Sequence, residues 1–328
     1  MLVLGDNQLV ARFPEVHASA QCFVDFQRTL RIPDDNQDYP LPAGLGRFPL
    51  FCVDEFNVPA HWKTHGGVFL PMYASEAMWI NFTHRMGYPF AVKIAAGKVN
   101  AVTGQEWSNE LHTDPQDYVV LPVQRWVDGF NVAKGIVRQF VAAALGAGIT
   151  AEEQLTSQSR WAGVQLVFYP MKAEEYERRF RTNVLEDQYG AGVRFRARAA
   201  SAEMGLAPGG RVRQQILKDP YGVDAWDVAH ASRCFVHLAS VEAFRTTTGR
   251  NPPHPPVTAK QYADARIPWF DYYDESSALP GSSVLNSLDS VATALNKQGT
   301  ALDDNKPISI ASTIDLSPAG RTIRCGEF

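Results

Sequence analysis

Phe90-Ala-Val-Lys-Ile-Ala-Ala-Gly97-Lys-Val-Asn-Ala-Val102 decides the fold class. Two short apolar runs meet at a single glycine, which reads as a tight hairpin, because glycine takes the positive φ that short β-turns demand. The same pattern extends in both directions. From 19 to 32, polar and apolar residues come close to alternating through Cys22, Val24 and Phe26, and Pro33-Asp-Asp-Asn36 supplies a turn. Further runs rich in Val, Ile, Phe, Tyr or Trp occupy 48–53, 68–72, 77–82, 118–122, 136–142 and 164–169. So many short strands in the first half imply a β-sandwich or a partly open barrel.

Helix signals come later. Thr150-Ala-Glu-Glu153 and Thr258-Ala-Lys-Gln261 both have capping-box spacing. In 172–182, Glu174, Glu175 and Glu177 each precede an Arg by four residues, with Tyr176 and Phe180 on the opposite face. Residues 282–298 place Val284, Leu288, Val291 and Leu295 on one stripe. The expectation is an α+β chain: a β-rich first half, with helices added over 227–245, 258–265 and 282–298. A parallel doubly wound sheet is disfavoured, because helices do not alternate with strands early on. One continuous unit is expected, with a β-rich core over 1–171, a helix plus an Arg/Gly-rich excursion over 172–225, and a helical C-terminal part over 226–328.

Composition bounds the partners. At 45% hydrophobic and 20% charged residues, the chain has material for a large core and fits neither a disordered nor a fibrous class. Its net charge of −4 gives no overall attraction to nucleic acid or to an anionic membrane. No window approaches the ~18 consecutive apolar residues of a membrane helix. The longest apolar candidate, 140–149, is interrupted by Gly146 and Gly148. Met1-Leu-Val-Leu-Gly-Asp6 lacks the basic start of a secretory signal, so a cytoplasmic location is expected. Cys22, Cys52, Cys234 and Cys325 form no CxxC pair and read as free thiols.

Four stretches carry the chemistry that could matter. Trp269-Phe-Asp-Tyr-Tyr-Asp-Glu275 concentrates rings and carboxylates. Trp269 and Tyr273 could stack a sugar-like or cationic ligand while Asp271 and Asp274 serve as acid and base; the structural reading is a junction that anchors the following helix. Glu76, among Met72, Met78 and Trp79, is either a carboxyl raised by desolvation or a solvent-facing residue on an edge strand. Asp227, His230, Cys234 and His237 share one face of a helix, but span ~15 Å at 1.5 Å per residue, so no zinc site and no cofactor is expected. Arg194, Arg196 and Arg198 alternate along an expected ribbon, to be met by a protein partner, a second subunit or the chain's own carboxylates, or simply solvated as a charged edge. Gly205-Leu-Ala-Pro-Gly-Gly210 could cradle an anion but lacks phosphate-loop spacing, and His112-Thr-Asp114 reads as a hydrated loop.

Taken together, several blocks resemble a family of conserved, uncharacterised, mostly bacterial proteins sometimes labelled "integral membrane protein". The blocks include Leu30-Arg-Ile-Pro-Asp-Asp35, Gly67-Val-Phe-Leu-Pro-Met-Tyr73 with Glu76 and Trp79, Tyr169-Pro-Met-Lys172, Met204-Gly-Leu-Ala-Pro-Gly-Gly210 and Pro268-Trp-Phe-Asp-Tyr-Tyr273. The resemblance covers most of the chain and implies no activity. Two functional readings follow: a soluble, non-catalytic binding or assembly protein, or an enzyme that acts on a small polar or sugar-like substrate through Asp271, Asp274 and Glu76. Convergence of those carboxylates in one pocket would separate them.

Overall fold

Among the described residues, seventeen strands join into one hydrogen-bonded, mostly antiparallel sheet, and three more form a small second sheet. They belong to a computed structural model that describes residues 1–83, 87–180, 203–272, 278–310 and 312–316. Strand outweighs helix, 38% to 18%, and the helices are short and lie mostly in the C-terminal half, so the chain is α+β and β-rich.

The opening hairpin is present. Ala96 faces Val99 across a two-residue turn in which Gly97 has φ +58°, and a Cβ there would meet the Glu152 carboxylate at 2.5 Å. Phe90–Ala96 pairs with Val164–Pro170 on one side and Val119–Leu121 on the other. Every residue of Phe90–Ala96 and Val164–Pro170 is buried, so both faces of this part of the sheet are covered. Ala77–Thr83 is equally central. It pairs with Gln21–Thr29 along its length, and with Trp126–Val127 and Ile136–Ala144 on its other side.

Both capping boxes form, at Thr150 with Glu153 and at Thr258 with Gln261. Helix Ala173–Phe180 is also present, with Glu175 gripping Arg178 and Arg179, while Glu177 turns to His17 at 3.0 Å.

Three expectations fail. Residues 227–245 are not a continuous helix: Ser232–Ser240 is a strand, parallel to Val68–Met72, and helix Val241–Thr248 begins only after Ser240 caps it. Cys234, Val236 and Leu238 alternate with Arg233, Phe235 and His237, and the period of two wins over the helical spacing. Residues 282–298 break into Ser283–Asn286 and Val291–Lys297, because Ser290 serves as a second N-cap and its hydroxyl bonds Asp34. The described part of the expected Arg/Gly-rich excursion is strand Glu203–Arg213, the longest in the sheet, paired with Ile136–Ala144. Gly209 and Gly210 sit there at a bulge, where a Cβ would come within 2.5 Å of Val141 and 2.3 Å of the Pro33 carbonyl. They serve close strand approach.

Among the described residues, no helix is long and apolar enough to cross a membrane.

Candidate functional site: an aromatic cavity beside a closed ion pair

Glu76 lies immediately before the central strand Ala77–Thr83 and is 1% exposed, which overturns the solvent-facing edge reading. The register that sets Arg28 against Met78 brings its guanidinium over Glu76, with Nε donating to Oε1 at 2.6 Å. The Tyr73 amide donates to Oε2 at 2.9 Å. Burial raises the Glu76 carboxyl above its ordinary range, against the opposing pull of Arg28 and the Tyr73 amide. The proline-rich strap over 251–256 closes the pair from outside: Arg28 donates to the His254 carbonyl at 2.7 Å and the Tyr73 hydroxyl to the Pro253 carbonyl at 2.9 Å. No local pattern around Glu76 points to Arg28, which lies 48 residues away.

Asp271 does not join Glu76. It is held by Arg213 through two parallel bonds of 2.9 and 3.0 Å. Arg213 faces Ile136, whereas the Glu76 carbonyl accepts from Ala142, six residues further along the same strand. The two backbone anchor points are thus about 20 Å apart. Trp269 is 3% exposed, packed between Tyr39 and Tyr262 as a core ring. Asp274, Tyr273, Arg194, Arg196 and Arg198 lie outside the described residues. Of the basic run, Arg211 and Arg213 fall within them and meet Asp38 and Asp271 of the same chain. Cys234 and His237 project to opposite faces of their strand, and Asp227 binds His230 within a turn at 2.9 Å.

His112 is exposed, yet anchored: its Nδ1 is 2.8 Å from the buried Asp117, which also receives the buried Lys93 ammonium at 2.7 Å. Lys93 donates in addition to Ser108 and to the Glu110 carbonyl, so its three protons are used and the cluster ties its loop to the sheet.

Among the described residues, cavities of about 590, 490 and 200 Å³ are large enough for a small molecule; that of about 490 Å³ is an open recess over Asn81, Phe82, Thr83, Pro122, Arg125 and Trp126. The cavity of about 590 Å³ lies between the loop at Thr113 to Tyr118 and the segment at Leu279 to Val284. Its buried polar wall is satisfied internally. Gln116 bonds three backbone groups, and the Tyr118 hydroxyl and Trp226 indole both donate to Asp219, at 2.7 and 2.9 Å.

The cavity of about 200 Å³ differs in kind. Trp79 and Trp126 come from one face of the main sheet: Trp126 pairs with Asn81, and 79 and 81 share a face. Opposite stands the small sheet of Leu41–Pro42, Trp269–Asp271 and Thr313–Asp315. Alternation along Trp269–Asp271 sends Trp269 into the core and its neighbour Phe270 to the cavity wall. The mouth lies at Gly44 and Leu316, both exposed. A Cβ at Gly44 would stand 3.1 Å from the Trp79 ring, so the missing side chain keeps this edge open.

Asp128 completes the wall at 2% exposure and is its one ionisable side chain among the described residues. Gln214 donates to its Oδ2 at 2.5 Å, and the Trp126 indole also donates to it. Both donors are neutral. Burial lifts Asp128 to about 7, against those two hydrogen bonds. The buried Trp79 indole N–H has no partner among the described residues. Sequence reading singled out neither Trp126 nor Asp128. The available signal was an acid set between apolar residues in Trp126-Val-Asp-Gly-Phe130.

Comparison with protein-family models, with curated proteins and with solved structures yields no match.

Proposed function

We propose that this chain is a cytoplasmic, non-catalytic binding protein that holds a small organic ligand in the cavity of Trp79, Trp126, Phe270 and Asp128. One observation carries the reading: three aromatic side chains line about 200 Å³ together with a buried carboxyl that, among the described residues, neutral donors meet. Such an acid costs stability in the empty protein, and costs of that kind concentrate where a ligand offsets them. The rival enzymatic reading loses support, because Glu76 is closed off by Arg28 and Asp271 is held by Arg213. The cytoplasmic part is supported by the free thiols of Cys22, Cys52 and Cys234. Membership of the uncharacterised bacterial family that the sequence blocks resemble belongs to the same proposal and adds no activity to it.

The test is a ligand screen by intrinsic tryptophan fluorescence and thermal shift, run on the full chain and on Gly44→Leu, whose side chain would enter the mouth. Compounds that bind are expected to shift both signals in the parent and to lose at least about 10-fold in affinity in the variant, the equivalent of ~1.4 kcal/mol. Ligands that bind the two proteins alike, or a screen in which neither signal moves, would overturn the cavity as the binding site.

A further inference from the structure

We propose that the cavity of Trp79, Trp126, Phe270 and Asp128 selects a small organic cation, an alkylammonium group, as its ligand. The inference rests on the binding reading above and adds the sign of the ligand's charge. Three aromatic side chains, Trp79, Trp126 and Phe270, line one space of about 200 Å³. A cation over the face of such a ring is attracted by the ring quadrupole, most strongly where water is excluded. Asp128 supplies a full negative charge once ionised, and its two donors, the Gln214 amide and the Trp126 indole, leave acceptor capacity on the carboxylate.

The other ligand classes fit less well. An anion would meet the like charge of Asp128 in an otherwise aromatic and apolar wall. A neutral apolar ligand would bury the carboxylate further without compensating it. A cation alone satisfies both features, and a bulky, weakly hydrated alkylammonium loses less on leaving water than a compact ammonium ion does. The contrast with Glu76 supports the point from inside the molecule, since there the chain supplies its own cation, Arg28, whereas among the described residues none reaches Asp128.

The experiment titrates the full chain at pH 8 with choline and with 3,3-dimethylbutan-1-ol, an uncharged molecule of the same shape, followed by tryptophan fluorescence and calorimetry. Choline is expected to bind at least about 10-fold more tightly than the alcohol. Asp128→Asn is expected to remove that advantage and leave the alcohol unchanged. Phe270→Leu, which keeps an apolar wall but deletes a ring, should weaken choline by about 3-fold and the alcohol hardly at all. Lowering the pH to 5.5 should weaken choline as well, because protonated Asp128 no longer attracts it. Equal affinity for the two probes, or choline binding that survives Asp128→Asn intact, overturns the cation and leaves the cavity standing. Binding of neither probe also overturns the cation, and the Gly44→Leu screen then decides separately on the cavity.

Discussion

Glu76 and Asp128 are carboxyls buried to nearly the same depth, at 1% and 2% exposure, in opposite surroundings. Glu76 has an arginine, a backbone amide and a proline-rich strap closing over it. Asp128 has two neutral donors and a cavity. Depth of burial therefore says little about role; what fills the space beside the carboxylate decides it. A buried pair that satisfies itself reads as structural, whereas on the proposed binding function a buried acid left without a counter-charge is where a ligand would supply one.

The sharpest way to break this comparison is to take the cation from Glu76. Arg28→Met leaves a buried carboxyl with the Tyr73 amide as its remaining donor, and a stability loss of about 3–5 kcal/mol at pH 7 is expected. Arg28→Met/Glu76→Leu should regain most of it, because the desolvated charge disappears together with its partner. Urea unfolding of the two variants measures both. A single variant as stable as the parent would mean that Glu76 never depended on Arg28.

Asp128 should answer in the opposite direction. Its folded-state pKa of about 7 stands above the ~3.9 of an unfolded aspartate, so between those values the folded chain holds more protons than the unfolded one. Stability tied to this group is complete below about pH 4, falls as pH rises, and levels off above about 7. Asp128→Asn does not titrate. It is expected to match the parent near pH 4 and to exceed it by about 2–4 kcal/mol at pH 8, read from melting curves across that range. A variant less stable than the parent at pH 8 would show that the carboxylate is already compensated in the free protein, and the contrast with Glu76 would collapse.

How much of this was legible in the sequence follows from the range of the interactions. The Gly97 turn and the capping boxes at Thr150 and Thr258 involve neighbours three residues apart or fewer, and all three stand as expected. Within 227–245, Ser232–Ser240 went to strand because pairing with Val164–Pro170 and Val68–Met72 overrode a helical spacing of polar residues. The break within 282–298 depends on Asp34, some 256 positions earlier, which no local window contains. The same holds for the two carboxyls. The stretch around Trp269 was singled out for its rings, yet it is Phe270 that reaches the cavity, and the walls it faces come from Trp79 and Trp126, which sheet register alone brings together. Residue types announce that an acid or a ring is present; topology decides what stands next to it.

The smallest expected effect tests whether the Glu76 side of the comparison is closed by backbone or by side chain. His254 is exposed, and both ring nitrogens lie 3.2 Å from Arg28 Nη1, while its carbonyl accepts from Nη2 at 2.7 Å. The carbonyl is fixed by the strap, which the prolines on both sides stiffen. A ring next to solvent adds little to a guanidinium already held by Glu76 and by that carbonyl. His254→Ala is therefore expected to cost less than about 1 kcal/mol, with a melting temperature close to that of the parent at pH 7. A loss approaching that of Arg28→Met would mean that the imidazole itself holds Arg28 in place. Glu76 would then depend on an exposed, titratable residue, and its ion pair would be no more self-contained than the carboxyl in the cavity.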